Sequence, residues 1–244
     1  MKIFSRYILI WLAAFSAVYS PVPSTGAVDL ANDVEDPMYL NKLGDFVSRT
    51  SFSAGRHFQL RENASYGFSN RFALAADVRW RSRGEEFESK FSNIGLIGTY
   101  RVGQSATGET DIMFGFGVGG HGIAPSYSDE VYSVGVRTGK QWPGMTLSAT
   151  VMTNWIFDDW SSSGGAPGMA YIDVAPDAYF RLAGGDWAVG AGILFRKSTI
   201  SAYDQEWING KFGATIGMTG WFVNLGYEFE SEEFRIGGSL NMLF

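Results

Sequence analysis

The 244-residue chain is 45% hydrophobic and 16% aromatic but only 18% charged, and it has 31 glycines and no cysteine. This composition is too apolar for a disordered chain and too glycine-rich for a helical bundle, and without cysteine there is no disulfide scaffold, thiol nucleophile or cysteine metal site. The net charge of −6 argues against a nucleic-acid partner, because phosphate binding needs a basic surface.

The first 27 residues have the pattern of a secretory signal peptide. Lys2 and Arg6 form a positive n-region, residues 7–19 form an apolar h-region, and residues 25–27 supply the small side chains of a cleavage site. The apolar run is about 13 residues long, whereas a membrane-spanning helix needs roughly 20. We therefore predict that residues 1–27 are a cleaved signal peptide and that the protein is exported.

Residues 28–45 form an acidic segment that we expect to lie in the periplasm. The segment could remain disordered, or it could fold as a plug against three basic residues of the following region, Arg49, Arg61 and Arg79. Its charge and Pro37 favour disorder.

From residue 46 to the end of the chain, apolar and polar residues alternate with a period of two. Residues 72–80, 187–196 and 221–229 each place apolar side chains on one face and small or charged ones on the other. The apolar faces begin and end with aromatic residues, as in strands whose girdles lie at two membrane interfaces. No other segment is continuously apolar over 18 residues, so a membrane-embedded chain must be a β-barrel.

Turn signals divide this region into twelve predicted strands. They lie near residues 46–54, 57–66, 71–82, 91–102, 110–119, 130–140, 145–156, 170–181, 186–196, 209–217, 220–229 and 234–244. An even strand number, short turns at one end and longer loops at the other are typical of bacterial outer-membrane barrels. The first hairpin fits least well, because its turn at residues 55–56 is short and its second strand directs Glu62 towards lipid; ten strands is the alternative.

The last predicted strand carries an assembly signal. Five apolar residues share one of its faces, and the chain stops on an aromatic one. They are Phe234, Ile236, Leu240, Met242 and Phe244. The pattern resembles the closing strand of bacterial outer-membrane barrels, which the barrel-assembly machinery reads. We predict an all-β, antiparallel up-and-down transmembrane barrel over residues 46–244, surrounded by outer-membrane lipid.

Two segments resemble a narrower family. Residues 66–74 read Tyr-Gly-Phe-Ser-Asn-Arg-Phe-Ala-Leu, and residues 94–101 read Ile-Gly-Leu-Ile-Gly-Thr-Tyr-Arg. This is similar to outer-membrane barrels grouped with the phenol-degradation meta-pathway transporters, in which a Tyr-Gly turn motif ending in Asn/Asp-Arg precedes a strand ending in Tyr-Arg. The resemblance covers residues 58–102. It implies an outer-membrane location and uptake of small hydrophobic or aromatic compounds.

Two further motifs could carry chemistry. Residues 115–120 satisfy the pattern GxGxxG, but no helical period follows them, so strand glycines explain them better than a nucleotide site. His121 and Ser126 share a predicted outer loop, although phospholipase barrels carry His-x-Ser-x-Gly on a strand. No cofactor is expected, and no second histidine lies at metal-ligand spacing. A lipid hydrolase is therefore the third interpretation of function.

Strand parity places charged residues of both signs in the lumen. They are Arg49, Arg61, Asp77, Arg79, Arg101, Asp111, Arg137, Asp173, Asp177, Arg181, Lys211, Glu228 and Arg235. Such charges can interlock and fill the barrel, or they can line a water-filled channel. Because many inward positions are glycine, we predict a narrow channel or uptake route for small solutes or hydrophobic compounds, without enzymatic activity. The alternative is a structural or surface-interaction barrel.

Overall fold

The computed structural model describes residues 34–55, 58–83, 88–105, 108–118, 130–157, 169–182, 186–201 and 204–244. These residues form twelve antiparallel strands in one closed barrel, in which each strand pairs with the next and β1 pairs with β12. The strands are β1 (Phe46–Ala54), β2 (Gln59–Ser69), β3 (Phe72–Arg83), β4 (Glu88–Gln104), β5 (Gly108–Val118), β6 (Glu130–Trp142), β7 (Met145–Phe157), β8 (Met169–Arg181), β9 (Trp187–Ser198), β10 (Gln205–Ile216), β11 (Thr219–Glu228) and β12 (Glu233–Leu243). The twelve-strand prediction is confirmed, and the ten-strand alternative is wrong. Within the described ranges, no helix is long and apolar enough to cross a membrane.

The seam between the first and last strands is fully bonded. Val47 pairs with Leu243, and beyond them the backbones of Phe46 and Phe244 exchange two hydrogen bonds of 3.1 and 2.8 Å. A barrel in lipid must bond its own backbone N–H and C=O groups, because the bilayer core offers no water. Closure at this seam removes the sheet edge.

The outer face of the barrel is apolar and carries aromatic residues near both ends. Val134, in mid-strand, keeps 52% of its surface exposed. The rings of Trp187 and Phe212 stack 5.2 Å apart near one end, and those of Tyr132 and Phe157 meet edge to face at 5.5 Å near the other. An apolar band between two aromatic girdles is the surface that a bilayer requires.

The two ends of the barrel differ in the length of their connections. The strand bounds leave short turns at residues 70–71, 105–107, 143–144, 182–186 and 217–218, and they leave the longest loops at residues 119–129 and 158–168. The short turns lie at the end where β1 begins and β12 ends. We refer to this as the periplasmic end and to the opposite one as the extracellular end, following the asymmetry of bacterial barrels.

The first hairpin forms despite its lipid-facing carboxylate. Glu62 accepts hydrogen bonds from Ser48 Oγ at 2.7 Å and from Thr50 Oγ1 at 2.5 Å, and both hydroxyls lie on the neighbouring strand β1. Hydrogen bonds to an ionised group are stronger than neutral ones. The two donors therefore replace part of the solvation that Glu62 loses on the outer face.

The segment before β1 is ordered inside the barrel. Val34, Asp36, Met38 and Asn41 are all buried, and residues 34–41 occupy the periplasmic half of the lumen, whereas residues 42–44 are exposed at its rim. The preference for disorder is therefore wrong for these residues, and residues 28–33 lie outside the described part of the chain. The physical reason is that barrel side chains supply the hydrogen-bond donors that the acidic segment lacks by itself.

Candidate functional site in the barrel lumen

The lumen consists of two regions with different packing. The first is the plug, which we define as residues 34–41. The second is the vestibule, an open cavity of about 840 Å³ between the plug and the extracellular end. Basic residues line the vestibule on several strands: Arg61, Arg79, Arg81, Arg196, Lys211 and Arg235. Acidic residues line it as well: Asp177, Asp204, Glu228, Glu230 and Glu233.

Two arginines on neighbouring strands share one buried aspartate. Arg61 and Arg79 lie directly opposite each other in the register of β2 and β3. Both donate through Nε to Asp77, with 2.8 Å between Arg79 Nε and Asp77 Oδ1. The Asp77 side chain is only 4% exposed, whereas those of Arg61 and Arg79 are 45% and 38% exposed. Asp77 thus orients two guanidinium groups that still face the vestibule.

Further cations extend this basic wall on both sides. Arg81 lies two positions beyond Arg79 on the same face of β3 and lines the same cavity. On β12, Arg235 donates to Glu233 at 2.8 Å, and its guanidinium lies 4.2 Å from the centroid of the Trp207 ring. Stacking on an aromatic ring holds a guanidinium plane in one orientation. The wall from β12 to β3 therefore presents oriented planar cations.

The wall formed by β8 and β9 is different, because its arginine is fully paired. Arg196 donates to both carboxylate oxygens of Asp173 at 2.7 Å, and it stacks on Tyr171 at 4.1 Å. Its side chain is only 14% exposed. Asp177 lines the vestibule from the same wall. Excess positive charge is therefore concentrated on one side of the vestibule.

The periplasmic half of the lumen contains an interlocked charge network. Asp111 is fully buried and accepts from Arg101 at 2.8 Å and from Arg137 at 2.5 Å. Arg101 also pairs with Glu109 at 2.9 Å. A buried ion pair is favourable only when further hydrogen bonds satisfy its remaining donors, and in this network the plug accepts them.

The arginines of the wall hold the plug by its backbone. Each donates to a main-chain carbonyl: Arg49 to Val34 at 2.7 Å, Arg101 to Met38 at 2.7 Å and Arg137 to Pro37 at 2.8 Å. Carbonyls of a non-helical segment need such partners when they are buried. The plug is therefore stabilised by tertiary contacts rather than by secondary structure of its own.

Lys211 lies at the border between the plug and the vestibule. Its Nζ donates to the backbone carbonyl of Glu35 at 2.7 Å and to its Oε2 at 2.8 Å, while Asn241 donates to Oε1. A Cβ at Gly190 would lie 2.7 Å from Lys211 Cε, so glycine at this position leaves room for the lysine stem. Lys211 also lines the vestibule, and its Nζ lies 4.9 Å from the centroid of the Tyr179 ring.

The sequence-predicted lumen residues are distributed between these regions. Arg61, Arg79, Asp177, Lys211, Glu228 and Arg235 line the vestibule, and Asp77 and Asp173 orient its arginines. Arg49, Arg101, Asp111 and Arg137 belong to the plug contacts and the charge network. Arg181 ends β8 at the periplasmic end, away from the vestibule.

Sequence reasoning missed several residues of the site. Arg81 and Arg196 follow the same strand parity as the predicted residues and could have been found from it. Glu35 could not, because it belongs to no strand. Residues 115–118 of the GxGxxG motif lie in β5, whereas His121 and Ser126 fall outside the described residues. Among the described residues, no group of three or more histidine, aspartate or glutamate side chains is placed to hold a metal ion.

Comparison with known proteins identifies the fold. No family model and no curated protein matches the chain. Among solved structures, KdgM porin in complex with disordered oligogalacturonate has a TM-score of 0.62 at 11% identity, over 80% of this chain and 98% of that one. NanC porin has a TM-score of 0.62 at 7% identity, over 81% of this chain and 98% of that one. The COG4313 outer membrane channel from Pseudomonas putida F1 has a TM-score of 0.56 at 8% identity, over 91% of this chain and all of that one.

These likenesses define the class to which the chain belongs by fold. It has the fold of a bacterial outer-membrane β-barrel, in agreement with the fold and location predicted from the sequence. The narrower resemblance of residues 58–102 to phenol-degradation transporters remains a sequence-based prediction.

Proposed function

We propose that this barrel is an outer-membrane channel for the uptake of small hydrophilic solutes that carry carboxylate or similar anionic groups. The observation that carries the proposal is the pair formed by Arg61 and Arg79, which Asp77 orients and which face an open cavity of about 840 Å³. Planar guanidinium groups bind carboxylates with two parallel hydrogen bonds. One structural neighbour, KdgM porin, holds oligogalacturonate, an oligomer of a sugar acid.

The vestibule can attract an anion without trapping it. An entering carboxylate loses part of its hydration shell, and the basic wall replaces the lost interactions. Asp77 already occupies one side of both guanidinium groups, so their charge is partly compensated before a solute arrives. Conduction requires binding that is favourable enough for entry and weak enough for exit. The shared aspartate supplies this balance.

The lining of the vestibule favours hydrophilic over hydrophobic solutes. A hydrophobic compound that filled the cavity would remove water from exposed arginines such as Arg61 and give them no hydrogen bonds in return. Burial of unpaired polar or charged groups is costly. The open cavity also argues against a barrel filled only for structural purposes.

Two measurements on the refolded protein without residues 1–27 test the proposal. Liposome swelling compares glucose with glucuronate, which are similar in size and differ by one negative charge. Planar bilayers give the reversal potential in a potassium chloride gradient. We expect faster entry of glucuronate and a preference for chloride over potassium.

The R61Q/R79Q double variant should lose most of the preference for glucuronate and for chloride. R181Q, which removes a cation that lies far from the vestibule, should retain both preferences. Equal rates for the two sugars, or a double variant with unchanged reversal potential, would contradict anion selectivity. Absence of any current, including in the E35Q variant described below, would contradict the channel itself.

A further inference from the structure

The plug lies across the lumen and contacts more than half of the strands. Side chains of β1, β2, β4, β6, β7, β10 and β12 donate hydrogen bonds to it from around the barrel. Met38 is 1% exposed and Asp36 is 3% exposed. The contact at Gly139 is especially close, since a Cβ there would lie 2.5 Å from Met38 Cγ. In this arrangement the plug lies between the vestibule and the periplasmic end and narrows the route between them.

The contacts that hold the plug are nevertheless exchangeable. Most are hydrogen bonds from arginine, lysine, serine, threonine or asparagine side chains. Besides Met38 against Gly139, the buried apolar cluster of the plug is small and consists of Val34 and Tyr39 with Val47 on β1. A second cavity of about 330 Å³ lies beside the plug, against small wall residues such as Ala73 and Ala75. The plug thus has space into which it can move without deforming the barrel.

A short turn connects the plug to the barrel. Asp45 donates through its backbone N–H to the carbonyl of Lys42 at 3.0 Å, and Gly44 adopts a φ of 87° that favours glycine. The N–H of Gly44 donates to the carbonyl of Gly67 on β2 at 2.9 Å. This turn stays attached to the wall when the contacts of residues 34–41 are broken, so it can act as the hinge.

Lys211 links the plug to the solute site. It is a lining residue of the vestibule and also the ion-pair partner of Glu35. The Glu35 carboxylate is the same chemical group as the anion of the proposed solute. A solute carboxylate at the vestibule floor therefore competes with Glu35 for one ammonium group.

We propose that residues 34–41 form a gate that an anionic solute opens by displacing Glu35 from Lys211. The proposal rests on the proposed function, because it requires an anionic solute in the vestibule. Once the Glu35 carboxylate is released, the plug loses its ion pair with β10, and the cavity beside it leaves room for the segment to shift. Solute and plug thus exchange at a shared cation, and the channel opens when its solute is present.

A reversible covalent lock tests whether the plug must move. The chain contains no cysteine, so the pair M38C/G139C introduces the only two thiols. A sulfur at the position of Met38 Cγ lies within disulfide reach of residue 139. With glucuronate present, we expect the oxidised double variant to be almost silent in planar bilayers and to recover current close to that of the wild type when dithiothreitol is added to the same membrane. The single variants M38C and G139C, treated identically, control for each substitution.

The Glu35–Lys211 ion pair is tested separately with E35Q, which keeps the size of the side chain and removes its charge. We expect its open probability without solute to rise roughly tenfold, the effect of losing one charge-assisted hydrogen bond. Addition of glucuronate should raise the open probability of the wild type and leave that of E35Q nearly unchanged.

The outcomes separate the two proposals. Equal currents from the oxidised and reduced lock overturn the gate and leave the channel intact. A lock that works together with a wild type that does not respond to glucuronate overturns displacement by solute. A barrel that is silent when reduced, and silent as E35Q, overturns the proposed channel function.

Discussion

The two halves of the lumen contain the same types of charged residue, but the periplasmic half is filled and the vestibule is open. In the periplasmic half, Arg101 donates through Nε to Asp111, pairs through one terminal nitrogen with Glu109 and donates through the other to the Met38 carbonyl of the plug. Its side chain is 9% exposed. In the vestibule, Arg61 contacts Asp77 and remains 45% exposed. Charge content therefore does not decide whether a barrel is filled or open. What decides is how many donors of each arginine already have a partner.

The largest expected effect is on stability and separates the two halves. In D111N, Arg101 and Arg137 lose the carboxylate charge that they share in a fully buried site, and we expect a loss of about 3–5 kcal/mol in the free energy of unfolding. In D77N the arginines remain open to water, so we expect a loss of about 1 kcal/mol or less. Urea titrations in lipid vesicles, followed by tryptophan fluorescence, measure both values. Equal losses would show that the two halves are packed alike.

The second expected effect concerns the selectivity of the vestibule. D77N removes the charge that compensates Arg61 and Arg79, so the reversal potential should shift further towards chloride by a few-fold in permeability ratio. The matched change D173N should have a smaller effect, because Arg196 is 14% exposed and its stacking on Tyr171 keeps it against the wall. A larger shift in D173N would place the selective wall on β8 and β9 instead.

How much of this comparison could be predicted from the sequence depends on the range of the interactions. A period of two indicates which face of a strand points inward, so strand parity predicts that both Arg61 and Arg101 face the lumen, but it does not distinguish the vestibule from the charge network. The plug has no such period, and its partners are distant in sequence: Arg101 lies 63 residues from Met38, and Lys211 lies 176 residues from Glu35. Taken without these distant partners, the acidic residues of the plug predict disorder. The partners become apparent only in the folded barrel.

The third expected effect concerns the periplasmic rim, where the barrel closes. Phe244 exchanges backbone hydrogen bonds with Phe46, and the two ring centroids lie 6.0 Å apart. Because the terminal aromatic is also the predicted signal for the barrel-assembly machinery, F244A should lower the amount of barrel assembled in cells several-fold, with a small loss of stability of about 1 kcal/mol. Heat-modifiable mobility on gels measures assembly. F212A, which removes a ring of the same girdle away from the seam, serves as the control.

The smallest expected effect is a pH dependence at the mouth of the vestibule. Partial burial, together with the neighbouring carboxylates of Asp204 and Glu228, raises the pKa of Glu230 above its usual value. At Asp204 partial burial acts in the same direction, but the hydrogen bonds from Lys197 and from the Ser198 N–H outweigh it and lower the pKa. As the pH falls, Glu230 therefore gains a proton before Asp204 does.

Protonation of Glu230 removes one negative charge from the path of an entering anion. The preference for chloride should therefore increase modestly as the pH is lowered from neutral, and E230Q should already show the higher preference at neutral pH. D204N should keep the pH dependence, because Glu230 still titrates in that variant. If E230Q changed with pH as much as the wild type, the titrating group would lie deeper in the lumen, and the contrast between the exposed charges of the vestibule and the paired charges of the periplasmic half would not account for the pH dependence.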